Sequence, residues 1–311
     1  MKKICLTIAL LIGLVTNSYA EQRQDFDLEH DTLLAQFDIK GDLDDVHAIA
    51  ALGSLLAHPD YKSLLPRTYA VQGTAERTSG KQYRVPELMI QAFGAKNSAW
   101  FDALADHDKA VKQMYQVVLS ALKQNNNQAK VWVMEAGQNG FTHDWLKLLL
   151  EQDNGVTAKD SKERIIVVQH SWFNEQESNK QKLSYVQQNT TYVAIDDGNE
   201  HYGQGHSAKT IRGAHTARLQ GRQTETDFNP GDSKWLDAAR SENNTKTHAK
   251  KLWTMADDYI KNLPHIHGKL HQQGGTDYSD MVEVLWILGL NDSIQLNSQF
   301  WRMFVTSIEV K

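Results

Sequence analysis

The chain has 311 residues, 41% of them hydrophobic and 23% charged, with a formal net charge of −5. That balance gives no reason to expect nucleic acid as a partner, and it suits one globular domain of α/β size or two small ones. The single cysteine, Cys5, lies among the first twenty residues, so the rest of the chain has no disulfide, thiolate nucleophile or zinc–thiolate site.

Residues 1–20 read as a secretory signal peptide. Lys2 and Lys3 form the basic start, residues 4–15 the apolar core, and Ser18-Tyr19-Ala20 the small-X-small cleavage site. The apolar run is shorter than the about 20 residues needed to span a bilayer, and Glu21 stands where a lipoprotein would have cysteine. The expectation is cleavage after Ala20 and a periplasmic or secreted domain over residues 21–311. No membrane association is expected after cleavage.

Residues 33–37 (LLAQF) are an apolar run of strand length. Asp38, Asp42, Asp44 and Asp45 follow, then Val46, Ile49, Ala50, Leu52, Leu55 and Leu56 at helical spacing. One or two acids there would cap a helix and complement its dipole. Four repel one another and call for a hard cation, and Ca²⁺ accepts about 6–8 oxygen ligands. Residues 64–71 read as a second strand and 72–80 as a polar loop. Residues 85–93 and 108–123 read as helices, the latter with a stripe of Val111, Met114, Tyr115, Val118, Leu119 and Leu122. Residues 130–134 read as a third strand, followed by a polar turn over 135–140 and a helix over 142–150.

Residues 164–169 read as a fourth strand that delivers His170, Trp172, Asn174 and Glu175. An aromatic ring among polar groups at a strand end can cover a sugar face and bind its hydroxyls. The bland alternative is that Trp172 and Phe173 pack in the core while His170 satisfies a backbone group. A helix over 183–186, a fifth strand over 191–195 and a turn over 196–199 come next. Residues 200–233 form a polar excursion containing His201, His206 and His215. Residues 235–240 and 248–263 read as helices, and His265, His267 and His271 as an incidental cluster. Asp280 opens an apolar helix over 281–288, where it would serve as N-cap, ligand or both. Residues 298–310 are partly apolar and expected to pack back. Strands alternating with helices predict an α/β class: a mainly parallel open sheet flanked by helices, Rossmann-like.

The segment Asp38-Ile39-Lys40-Gly41-Asp42-Leu43-Asp44-Asp45, placed after the first strand and before a small-apolar helix, resembles the nucleoside hydrolase superfamily. It is most similar to the nucleoside-hydrolase-like domains of secreted bacterial carbohydrate-associated proteins. The resemblance implies an Asp-rich loop that binds Ca²⁺, with water attacking an N-glycosidic carbon. The family loop reads Asp-X-Asp-X-Gly-X-Asp-Asp. Asp38, Asp44 and Asp45 match it. Lys40 stands at the second Asp, the family's calcium ligand and general base, and Asp42 is an extra acid that could take over. By resemblance, Asp38, Asp45, Asp280 and a carbonyl at Gln138 would hold calcium, with Asp42 or Asp38 as base. Asp44 and Asn139 would hold sugar hydroxyls, with His170, Trp172 and Asn174 lining the substrate. Ser279 stands where the family has a late histidine.

Two functions follow as expectations. One is an exported hydrolase of N-ribosyl or other glycosidic bonds, acting on a small sugar or nucleoside. The other, suggested by Lys40, is a catalytically degenerate carbohydrate- or nucleoside-binding protein on the same fold. An aspartyl phosphatase would want Asp-X-Asp, which Asp38-Ile39-Lys40 lacks. Whether the chain forms a homo-oligomer is left open.

Overall fold

The computed structural model describes residues 24–40, 44–76, 81–170, 172–195, 198, 233–262, 275–294 and 296–310. Strands β1 (Thr32–Phe37), β2 (Thr68–Gln72), β3 (Trp100–Asp102), β4 (Val131–Ala136), β5 (Ile165–His170) and β6 (Thr191–Ile195) form one all-parallel sheet in the order β3-β2-β1-β4-β5-β6. The helices are α1 (Asp44–Leu56), α2 (Pro86–Phe93), α3 (His107–Leu122), α4 (Gly140–Glu151), α5 (Ala158–Arg164), α6 (Trp172–Glu177), α7 (Lys180–Asn189), α8 (Lys234–Arg240), α9 (Thr247–Asn262), α10 (Met281–Ile287) and α11 (Asn297–Phe300). The α/β class and the open parallel sheet are as the alternation of strands and helices predicts.

β1 is central and wholly buried, which is why it reads as a mostly apolar run, with Gln36 its interior polar residue. Its alternation separates two cores. Leu33, Ala35 and Phe37 face the layer built by α1, α2, α9 and α10. Leu34 faces the layer of α3 and α4 with Val131, Val133, Phe141 and Trp145. α9 lies close against α1: a side chain at Gly53 would come within 2.7 Å of Leu252 Cδ1. The chain after α11 returns to the first layer, with Trp301, Phe304 and Val305 buried in it.

Three local differences from the sequence reading have physical causes. The second strand starts at Thr68, not residue 64, because Pro66 supports a 3₁₀ turn over Leu65–Arg67 instead. β3 was not expected, since three residues are too few to show alternation. α5 was also not expected, although Thr157 and Asp160 form a capping box at its start. The signal peptide, Asp42, Asp196, Asp197 and the histidines of 201–215 and 265–271 lie outside the described residues.

The second core carries a buried polar row near the carboxyl ends of its strands. Gln36 and Glu135 are register neighbours on β1 and β4. Gln36 Nε2 donates to Thr142 Oγ1 at 2.7 Å, and the Thr142 hydroxyl donates to Glu135 Oε2. Gln169 Nε2 donates to the Glu135 carbonyl at 2.8 Å. Burial pushes the Glu135 carboxyl from 4.5 up to about 8. The folded protein therefore keeps a proton that the unfolded chain releases between those two values. Stability should fall as pH rises through that window, by at most about 1.4 kcal/mol per pH unit for this group, and level off above it. Glu283, also raised to about 8 by burial, adds a similar slope. Glu135→Gln, uncharged throughout, should reduce the slope by about half, leaving the part due to Glu283, and exceed the parent in melting temperature at about pH 8–9. A parent profile that is flat between about pH 5 and 9 would rule out the buried neutral acid.

Candidate metal centre

The strand order reverses direction between β1 and β4, and open parallel sheets bind ligands in the crevice beyond that switch. Asp38 leaves β1 at this point. Its Oδ2 lies 2.9 Å from Lys40 Nζ, with both side chains largely buried. The next residue, Ile39, has φ 43°, a left-handed conformation that costs a β-branched residue about 1–3 kcal/mol. It is held there by complete burial, by its N–H donating to Asp45 Oδ2 at 2.5 Å, and by its carbonyl accepting from Tyr83 N at 3.0 Å.

Asp44 and Asp45 are the first residues of α1, and Asp44 Oδ1 accepts the Asp45 N–H at 3.0 Å. Asp280 arrives from the far end of the chain, at the N-cap position of α10. One carboxylate oxygen from each of Asp44, Asp45 and Asp280 falls within 4.8 Å of the other two. Asp45 and Asp280 are buried and Asp44 is half-buried. Asp280 makes no side-chain cap bond to its helix. Its Oδ1 faces His170, and its buried Oδ2 has no hydrogen-bond partner among the described residues. A buried carboxylate oxygen left in this state is costly unless a cation or water meets it. The all-oxygen donor set fits a hard cation such as Ca²⁺.

Three contacts dock the start of α10. His47 of α1 accepts the Asp277 N–H at Nδ1, 3.2 Å, and its ring lies 5.3 Å from that of Trp253. His170, the last residue of β5, places Nε2 3.0 Å from Asp280 Oδ1. Gly198 presses on the turn so closely that a Cβ there would sit 2.7 Å from the Ser279 carbonyl oxygen. Ser279 Oγ is 3.5 Å from Asp44 Oδ2, so this serine faces the acids.

The structure sorts the sequence candidates into groups. Asp45 and Asp280 come together as the metal reading requires, and Asp44, expected at the sugar, joins them. Asp38 sits with Lys40, while Asp42 lies outside the described residues. Gln138 and Asn139 are fully buried after β4. Gln138 Oε1 accepts from Glu76 N at 3.3 Å, and the Asn139 N–H donates to Ser178 Oγ at 3.1 Å. His170 is buried against Asp280, so it is a partner of a candidate ligand more than a wall of the crevice. Trp172 and Asn174 are half-buried on α6, with Phe173 exposed beside them. Glu283 was missed. It accepts the His170 N–H at 3.0 Å, and its one sequence signal was a lone acid inside the apolar run 281–288. Comparison of the chain with protein-family models, with curated proteins and with solved structures found no match in any of the three.

Proposed function

We propose that this chain is an exported, calcium-dependent hydrolase of N-ribosyl or other glycosidic bonds, acting on a small sugar or nucleoside. The convergence of Asp44, Asp45 and Asp280 on one point beside the sheet's switch crevice supports this reading. These three carboxylates would hold Ca²⁺. When bound, the ion supplies a Lewis acid that positions water and lowers its pKa. Asp38, or Asp42 in its place, would take the proton as water attacks the anomeric carbon and the glycosidic bond breaks, and the departing base or aglycone would take up a proton from solvent. Developing positive charge on the sugar ring is offset by the surrounding acids. Trp172 and Asn174 would meet the sugar or its leaving group. Residues 1–20 would be removed on export.

The second reading, a binding protein without turnover, is favoured by one observation. Lys40 occupies the family's base position and pairs with Asp38 at 2.9 Å, so an ammonium competes for the group that would accept the proton.

Calorimetric titration with calcium, followed by a panel of nucleosides and aryl glycosides with calcium or chelator, separates the two. Calcium binding with chelator-sensitive release of base or aglycone is the expected result. Calcium binding without turnover on any substrate would favour the binding protein. A flat isotherm at millimolar calcium would remove the basis of the hydrolase.

A further inference from the structure

We infer that His170 is a positioning residue that fixes the Asp280 carboxylate for metal binding, acting as a neutral, Nε2-protonated imidazole. The inference rests on the calcium reading above and adds a residue to it. The assignment comes from the hydrogen bonds on both sides of the ring. Gly198 N–H points at Nδ1 across 3.3 Å, so Nδ1 is the acceptor and the ring proton belongs on Nε2. Nε2 then donates to Asp280 Oδ1 at 3.0 Å. That bond turns the other oxygen, Oδ2, into a buried position with no protein partner among the described residues. The backbone at His170 is pinned in turn, because its N–H donates to Glu283 Oε1 at 3.0 Å. Glu283 is one turn along α10 from Asp280, so a single short helix carries both the candidate ligand and the group that holds the histidine. The ring is almost completely buried, which argues against direct substrate contact. Groups that hold a metal ligand from behind restrict its rotation, and their loss typically weakens metal binding about 10- to 100-fold.

Two replacements separate positioning from simple packing. Asn is short and keeps an amide where Nδ1 was, near Gly198, but cannot reach Asp280. Gln is longer and can place its amide donor near the former Nε2. Calcium titration calorimetry on the purified chain should show His170→Asn binding about 10- to 100-fold more weakly than the parent. His170→Gln should recover to within about threefold of the parent. Both should melt within a few degrees of the parent in chelator. Equal calcium affinity of His170→Asn and the parent would overturn the inference. So would an equal loss in both variants, which would make His170 a packing residue only. Failure of the parent itself to bind calcium is a different outcome, since it defeats the metal centre before His170 is at issue.

Discussion

Replacing Asp45 with Asn should abolish tight calcium binding while leaving the fold intact, whereas replacing it with Ala should damage both. The carboxylate has two roles that the two substitutions separate. One oxygen converges with those of Asp44 and Asp280, and Oδ2 accepts the N–H of Ile39 in its strained left-handed turn. An asparagine oxygen can still accept that N–H, but it carries no charge for a cation. Loss of a ligand carboxylate should exceed the about 10- to 100-fold typical of groups that merely support a ligand. Calorimetry of Asp45→Asn should therefore show affinity down by at least about 100-fold, with a melting temperature in chelator close to the parent's. Asp45→Ala also strands a buried N–H, at an added cost of about 1–3 kcal/mol visible in denaturant titration. Tight calcium binding by Asp45→Asn would show the centre to be wrongly assigned.

Gly137→Ala should be strongly destabilising. The turn after β4 passes over the end of β1 with no room for a side chain. A Cβ at residue 137 would lie 2.5 Å from Asp38 Oδ2 and 2.9 Å from Asp38 Cβ. Gly137 also has φ 153°, which side-chain-bearing residues rarely adopt. Backbone strain of about 1–3 kcal/mol and overpacking of a similar size should combine to about 2–5 kcal/mol of lost stability. Asp38 is the atom group that must yield, so its pair with Lys40 should break as well. Chemical denaturation measures the first effect. If Gly137→Ala unfolds at the parent's denaturant midpoint, the two turns are not in the contact described.

The first crossover was legible because a central parallel strand shows a mostly apolar run and the following helix repeats at helical spacing. Asp44 and Asp45 were legible as acids at a strand-to-helix junction, and Asp280 as an acid at a helix start. Their grouping was not, because it depends on how α10 docks against α1. The choice of Lys40 between Asp38 and Asp45 was also hidden, since both are within reach along the chain. Two features settle it: Asp45 is engaged by the Ile39 N–H, while Asp38 lies beside Lys40. Asp280 at a helix start looked equally like a cap, and only its missing cap bond and its contact with His170 distinguish the roles. Glu283 gave almost no signal, because the use of a lone acid in an apolar helix depends on the strand it meets.

The hydrogen bond from Asp277 to His47 spans 230 positions of sequence, and Asp44 meets Ser279 across 235. The three acids therefore cannot assemble until α10 has emerged from synthesis and settled against α1. An ion captured there would reward only the finished topology, because an unfolded chain holds Asp280 far from Asp44 and Asp45. Ligand that binds the folded form alone raises its stability by about 1.4 kcal/mol for each tenfold excess over the dissociation constant. A bound ion would then act as a late clasp between α1 and α10.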